Sequence, residues 1–335
     1  MSGADAVKED RLWQRHVDMA KLGGTPKGGV NRQALSAEDA AARNLLGAWA
    51  RARGFTIFTD AIGNLFVQRA GSDPNAAPVM SGSHMDSQPT GGRFDGMYGV
   101  LAAFEALEAL EDAGVKTKRP VMAVAWTNEE GSRFQPGAMG SAVFAGHNRL
   151  DEMLAVKDWK GVVLKDALAE TLKAAPTTLR PGAPGFPVDS YVEAHIEQGP
   201  RLENDKKTIG VVTAIQGSRR YIVTVDGEEA HAGTTPRSAR KDAFAAATRI
   251  ASAMYEVTTD ADGRGTWSVT MPTTSGSYRV RVTAMAYVTV EFIRNQAHFH
   301  RTLMVADGQG ANVASWARGM KKFWGPRGVF PKLLP

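Results

Sequence analysis

RPVMAVAWTNEEG, residues 119–131, runs through six residues from Val121 to Trp126 with no charge and no alternation, then turns acidic at Glu129 and Glu130. A continuous apolar run bounded in this way is the mark of a strand covered on both faces, as in the parallel sheet of an α/β protein. Upstream, GMYGVLAAFEALEALEDAG (96–114) predicts a helix with Val100, Phe104, Leu107 and Leu110 on one face. Ahead of it, APVMSGSH (77–84) is a second short apolar strand, ending at His84. GFTIFTDAIGNLFVQRAG (54–71) reads as two short strands around a turn from Asp60 to Asn64. SAEDAAARNLLGAWARAR (36–53) is a helix with Ser36 at its N-cap, acidic residues in its first turn and Gly54 beyond its end.

Downstream, DSYVEAHIEQGP (189–200) is a further strand with His195 near its end. The alternation predicts an α/β fold, a mixed, largely parallel sheet with helices on both faces. Ligands of such sheets bind outside the carboxyl ends of the strands. His84, the Glu129–Glu130 pair and His195 all fall at predicted strand ends, and Asp95 lies just ahead of the next helix. The composition shifts at Gly210: the segment that follows reads as strand, turn, strand, loop and helix, a smaller α+β domain. There Thr235 is placed as a helix cap, with Pro236 at the first helical position.

The chain has 335 residues, 43% hydrophobic and 22% charged, which is ordinary for a soluble globular protein. No apolar run approaches the roughly 20 residues of a membrane helix, and the polar N-terminus is no secretory signal. We therefore expect no membrane association and a cytoplasmic location. With zero cysteines, disulfides and thiolate sites are excluded, so a metal would be held by His, Asp and Glu. The net charge of +5 is a property of the tail. From Arg264 onward there are ten Lys/Arg and two Asp/Glu, against 30 and 33 in the first 263 residues. That distribution argues against a nucleic-acid partner.

His84, Asp95, Glu130 and His195 offer two imidazoles and two carboxylates without sulfur, a set suited to zinc, manganese or cobalt. A carboxylate bridging two such ions would hold them roughly 3.5–4 Å apart, sharing one activated water. The glycines of GSHMDSQPTGGRFDG (82–96) let backbone approach the ions closely. Asp86, two residues beyond His84, points the same way in extended chain and would orient the imidazole. Glu129 and Glu130 are neighbours that cannot easily bind one ion, so one serves as ligand and the other as general base. A single histidine at a strand end is ordinarily a hydrogen-bonded structural residue; four such features at successive strand ends are harder to dismiss.

GSHMDSQPTGGRFDGMYGV, TNEEGSRFQPGAMGS, EAHIEQGP and GEEAHAGTTPRSARKDA, in order between about residues 20 and 260, resemble the amidase/hydantoinase–carbamoylase branch of the di-metal aminoacylase and carboxypeptidase family. That branch includes N-carbamoyl-L-amino-acid hydrolases, allantoate amidohydrolases and β-ureidopropionases. The resemblance implies two divalent ions, with His84 and His195 as terminal ligands, Asp95 bridging and Glu130 on the second ion. It implies Glu129 as general base and Asp86 as the supporting acid. Gln198 is similar to a substrate-contacting residue. His231 is similar to a lid-domain histidine that stabilises the oxyanion, in relatives reaching the partner subunit's site; by itself it would be a turn-capping imidazole. The implied partners are a small ureido substrate and a second copy of the chain, joined through the lid. The implied reaction releases amino acid, carbon dioxide and ammonia. Gln88-Pro89-Thr90 favours N-carbamoyl-L-amino acids over allantoate and N-carbamoyl-β-alanine. Arg237 stands where the branch usually has methionine.

The resulting organisation is a metal-binding catalytic domain at 1–209, a lid and dimerisation domain at 210–295 and an atypical tail at 296–335. Beyond about Arg264 the resemblance stops, apart from VTVEF, a trace of a lid strand. The late metal-binding histidine of the family is missing, and His298 and His300 are the only histidines left to replace it. We therefore expect the tail to be a frameshifted or truncated reading of a longer gene; if it is real as written, the second ion lacks a ligand, and weak metal occupancy with little or no activity is expected. A catalytically inactive homologue is the alternative function.

Overall fold

The computed structural model describes residues 3–180, 184–213, 219–255, 280–286 and 300–305. By its internal contacts the chain forms two units, Met1–Ile215 with Glu291–Pro335, and Gln216–Val290. The first unit begins with α1 (Glu9–Ala20), α2 (Ala37–Ala52), β1 (Thr56–Thr59), β2 (Leu65–Arg69) and β3 (Val79–His84). It continues with α3 (Met97–Asp112), β4 (Val121–Trp126), α4 (Met139–Phe144), α5 (Leu150–Leu154) and α6 (Leu164–Ala174). Then come β5 (Thr178–Leu179), β6 (Ser190–Ile196), α7 (Arg201–Asn204) and β7 (Ile209–Val211). The second unit contains β8 (Arg219–Val225), α8 (Ala243–Tyr255) and β9 (Val280–Ala286); β10 (His300–Val305) belongs to the first.

Among the described residues the main sheet has eight strands, in the order β5-β1-β2-β4-β3-β6-β10-β7. β3 runs parallel to both β4 and β6, with His84 paired to Trp126, and β10 runs parallel to β6. β1 and β2, β2 and β4, and β10 and β7 pair antiparallel. The sheet is mixed with a parallel centre, as the apolar run at 121–126 predicts. Alternation along the strands feeds two cores. Leu65, Val67, Ala123 and Ala125 pack with α1, α2 and α3 on one face. Phe66, Met80, Met122, Val124 and Trp126 pack with Phe144, Phe186 and Val188 on the other.

Ser36 caps α2 as expected, its hydroxyl accepting from the Asp39 amide at 3.2 Å. α3 buries two carboxylates, Glu105 and Glu108, and α1 answers them with Arg11 and Arg15 at 2.7 Å. Both charges of each pair are thus satisfied, which offsets the cost of burying them. Among the described residues no helix is long and apolar enough to cross a membrane.

In the second unit β8 and β9 form a two-stranded antiparallel sheet. Its helix begins later than the sequence suggested. Pro236 has ψ 149°, and only one 3-10 turn (Arg237–Ala239) follows before Arg240 is again extended. The α8 cap is Asp242, whose carboxylate accepts from the Ala245 amide at 2.9 Å, so Thr235 caps no α-helix. The segment HRTLMV, inside the expected atypical tail, is a strand of the main sheet. His298 and residues 306–335 lie outside the described residues.

Candidate metal centre

His84 is the last residue of β3 and is 2% exposed. Its Nδ1 lies 2.9 Å from the Asp86 carbonyl oxygen. A carbonyl only accepts, so Nδ1 carries the hydrogen, and in the neutral ring the Nε2 lone pair is left free. His195, near the end of β6, repeats the arrangement with Nδ1 2.8 Å from the Ile196 carbonyl. Between the two rings comes Asp95, one residue before the Gly96 cap of α3. Its Oδ1 is 3.4 Å from His195 Nε2 and 4.0 Å from His84 Nε2. One donor atom from each of the three residues falls within 4.8 Å of the others.

The glycine beside Asp95 has a definite reason. Gly96 has φ +61°, and a Cβ there would lie 2.3 Å from His84 Nε2. Neither the backbone conformation nor the imidazole leaves room for a side chain.

The NEEG turn supplies the second half of the site. Asn128 takes φ +53°, which asparagine tolerates, and its amide donates to the Phe134 carbonyl at 2.8 Å. Beneath it, Asn64 Oδ1 accepts from the Thr127 amide at 2.9 Å. Glu129 Oε2 then comes 3.5 Å from His84 Nε2. Glu130 Oε2 accepts from Gln88 Nε2 at 2.7 Å, while its Oε1 is buried with no hydrogen-bond partner among the described residues. Glu130 is not one of the three residues whose donor atoms converge.

Asp86 works differently from the expectation. Its carbonyl, not its carboxylate, receives His84 Nδ1, and Oδ1 stands 3.6 Å from that nitrogen. The carboxylate instead accepts the backbone amides of Glu129 and Glu130, at 3.2 and 3.1 Å. Asp86 thus joins the His84 loop to the acidic turn. Gln198, at φ +55°, donates to Asp95 Oδ2 at 2.7 Å. Gln88, which the sequence tied only to substrate choice, turns out to hold Glu130, and no sequence signal marks that contact.

Burial pushes the His84 pKa down, but Glu129, Asp86 and Asp95 outweigh it and hold the group well above the ordinary histidine range. Burial pushes the Glu129 carboxyl up, against the pull of His84, and pushes Glu130 up against the hydrogen bond from Gln88. The centre therefore carries more negative charge than its own groups balance, which favours a cation. With both rings neutral, their Nε2 lone pairs face one Asp95 carboxylate oxygen, and that donor set, with the orphaned Oε1 of Glu130, fits a divalent metal ion.

His231 belongs to the second unit. Its Nδ1 accepts from the amides of Gly233 and Thr234 at 3.0 and 3.1 Å, which is turn capping. The ring hydrogen is thereby placed on Nε2, on an exposed side chain.

Residues 80–302 match the family described as Peptidase family M20/M25/M40. An N-carbamoyl-L-amino-acid amidohydrolase of Rhizobium meliloti is 44% identical over 244 residues, covering 73% of this chain and 58% of that protein. The allantoate amidohydrolase of Escherichia coli (strain K12) is 37% identical over 248 residues, covering 73% of this chain and 58% of that protein. The chain thus spans less than two thirds of the length of these curated relatives. A hydantoinase/carbamoylase family amidase from Burkholderia ambifaria superposes with a TM-score of 0.71 at 33% identity, covering 94% of this chain and 95% of that one. The chain belongs to peptidase family M20/M25/M40.

Proposed function

We propose that the chain is a metal-dependent amidohydrolase that cleaves the carbamoyl C–N bond of N-carbamoyl-L-amino acids. The observation that carries this reading is the convergence of His84, Asp95 and His195, with the Glu129 carboxylate 3.5 Å from His84 Nε2. The names of the relatives at 44% and 41% identity, both N-carbamoyl-L-amino-acid amidohydrolases, support the substrate class.

His84, Asp95, Glu130 and His195 would hold two divalent ions, of zinc, manganese or cobalt. When bound, such ions polarise the carbonyl oxygen and lower the pKa of water towards neutrality. Glu129 takes the proton of the attacking water and hands it to the leaving nitrogen. Asp86 keeps Glu129 and Glu130 in place through their amides. His231 donates Nε2–H to the developing oxyanion, since its Nδ1 is occupied by backbone amides. One water and R–NH–CO–NH2 give R–NH2, carbon dioxide and ammonia. In this reading the second unit pairs two chains, His231 serves the partner's site, and the enzyme is cytoplasmic.

Allantoate is the competing substrate, supported by the relative at 37% identity. Ammonia release from N-carbamoyl-L-methionine, allantoate and N-carbamoyl-β-alanine, with manganese or zinc added, decides among them. The expected order puts N-carbamoyl-L-methionine first. Preference for allantoate would move the assignment, and no release from any of the three would overturn the hydrolase reading in favour of an inactive homologue.

A further inference from the structure

Arg32 takes no part in the chemistry above, yet it heads the fully buried side chains by volume, with 1% of its surface exposed. Its Nε donates to the Met85 carbonyl at 2.7 Å, and its Nη1 donates to the carbonyls of Met19 and Leu22 at 3.0 and 2.8 Å. Its own amide donates to Ser87 Oγ at 2.9 Å, and the Ser87 amide returns to the Arg32 carbonyl at 2.8 Å. These side-chain hydrogen bonds all end on backbone carbonyls, so among the described residues no carboxylate is joined to the guanidinium directly. The opposing charge comes across space from Asp39 and Asp86.

Met85 stands between His84 and Asp86, so the guanidinium grips the centre of the segment on which the site turns. A buried arginine is expensive to desolvate. A neutral donor could have tied one carbonyl; a planar cation reaches three carbonyls and also opposes the charge of Asp86. We infer that Arg32 is a positioning residue. By fixing the Met85 carbonyl it holds His84 and Asp86 at the spacing where the imidazole donates to the Asp86 carbonyl and the Asp86 carboxylate takes the amides of Glu129 and Glu130. The consequence for metal binding rests on the proposed function; the positioning itself does not.

Two measurements on the full chain test this. Zinc affinity is read by competition with a chromophoric chelator. Solvent exchange of the His84 Nδ1 proton is read by NMR on zinc-free protein. Arg32→Met is expected to weaken zinc by at least about tenfold, the size of effect seen when the support of a metal ligand is removed, and to expose the Nδ1 proton. Arg32→Lys keeps the charge but not the fork, and is expected to lose roughly threefold with partial protection. Leu46→Ala, a buried α2 substitution in the same core, lowers stability but is expected to leave both readings as in the parent chain. Equal behaviour of Arg32→Met and Leu46→Ala overturns the inference. If Arg32→Met does not fold, Arg32→Lys decides: unchanged zinc affinity with full Nδ1 protection overturns it. A parent chain that binds no zinc defeats the proposed function, and proton exchange still decides the role of Arg32.

Discussion

Gln198 donates its side-chain amide to Asp95 Oδ2 across 2.7 Å, and this leaves Asp95 Oδ1 facing the Nε2 atoms of His195 and His84. A residue that resemblance places against substrate therefore also sets the rotation of the candidate bridging carboxylate. Gln198→Leu keeps most of the volume and removes the donor. Metal affinity is expected to fall about tenfold, because the carboxylate loses the bond that orients it. Chelator competition measures this. A raised KM with unchanged metal affinity would leave Gln198 with the substrate alone.

Glu129 and Glu130 are adjacent but meet different partners, His84 for the first and Gln88 for the second. Substituting each by glutamine should separate their roles. Glu129→Gln is expected to retain metal while kcat falls by roughly 10²–10⁴-fold, the usual contribution of a general base. Glu130→Gln is expected to lose metal, with activity partly restored by excess manganese. Metal content by elemental analysis, set beside kcat, distinguishes the two. Metal loss from Glu129→Gln, with Glu130→Gln still loaded, would reverse the assignment.

What the sequence shows and what it hides follow from the range of the interactions. β4 is legible because its apolar run is local, and His84, Asp95 and His195 are legible because strand ends and glycines mark them. Asp86 is half legible. Period-two spacing puts its carboxylate beside the imidazole, but β3 ends at His84 and the chain turns, so the carbonyl takes that place. Arg32 gives no local sign, since its burial depends on carbonyls at positions 19, 22 and 85. The start of α8 is not legible, because Thr235-Pro236 looks like a helix opening while the extended backbone at Arg240 delays the helix to the Asp242 cap. β10 leaves little local sign, since HRTLMV opens on polar residues and has only a short apolar end, Leu303 to Val305.

Gly96→Ala should damage the centre without replacing any ligand. The new Cβ meets His84 ring atoms at 2.3–2.4 Å in a backbone with φ +61°. The left-handed conformation alone costs about 1–2 kcal/mol for a residue with a Cβ, and the imidazole must also move. Gly92→Ala is the control, because nothing lies within 4 Å of a Cβ there. Gly96→Ala is expected to lower thermal stability and metal affinity together, with Gly92→Ala inside about 0.5 kcal/mol of the parent. Equal metal affinity in both variants would show that the ring position does not depend on Gly96.

His16 predicts how stability changes with pH. It is 3% exposed on α1, edge-on to Phe94 at 5.5 Å and stacked with Tyr98 at 6.0 Å. Neither ring nitrogen has a hydrogen-bond partner among the described residues. Burial, helped by Arg93, pushes its pKa down to about 3. The folded chain thus leaves His16 neutral where the unfolded chain already binds a proton, from about pH 6.5 downward, so acid favours unfolding across that window. Between pH 7.5 and pH 5 the loss from this residue is about 2 kcal/mol, at about 1.4 kcal/mol per pH unit below 6.5. Asp60, which burial pushes up to about 6, acts in the opposite sense, because its carboxyl protonates more readily in the fold. Asp60 is the same in parent and variant, so it cancels in their difference. His16→Phe removes the titration and an unsatisfied polar ring, and should be the more stable protein at pH 7.5 by about 1 kcal/mol. Denaturant midpoints at both pH values measure the gap, which should widen by about 2 kcal/mol at pH 5; a gap that stays constant would mean His16 charges inside the fold.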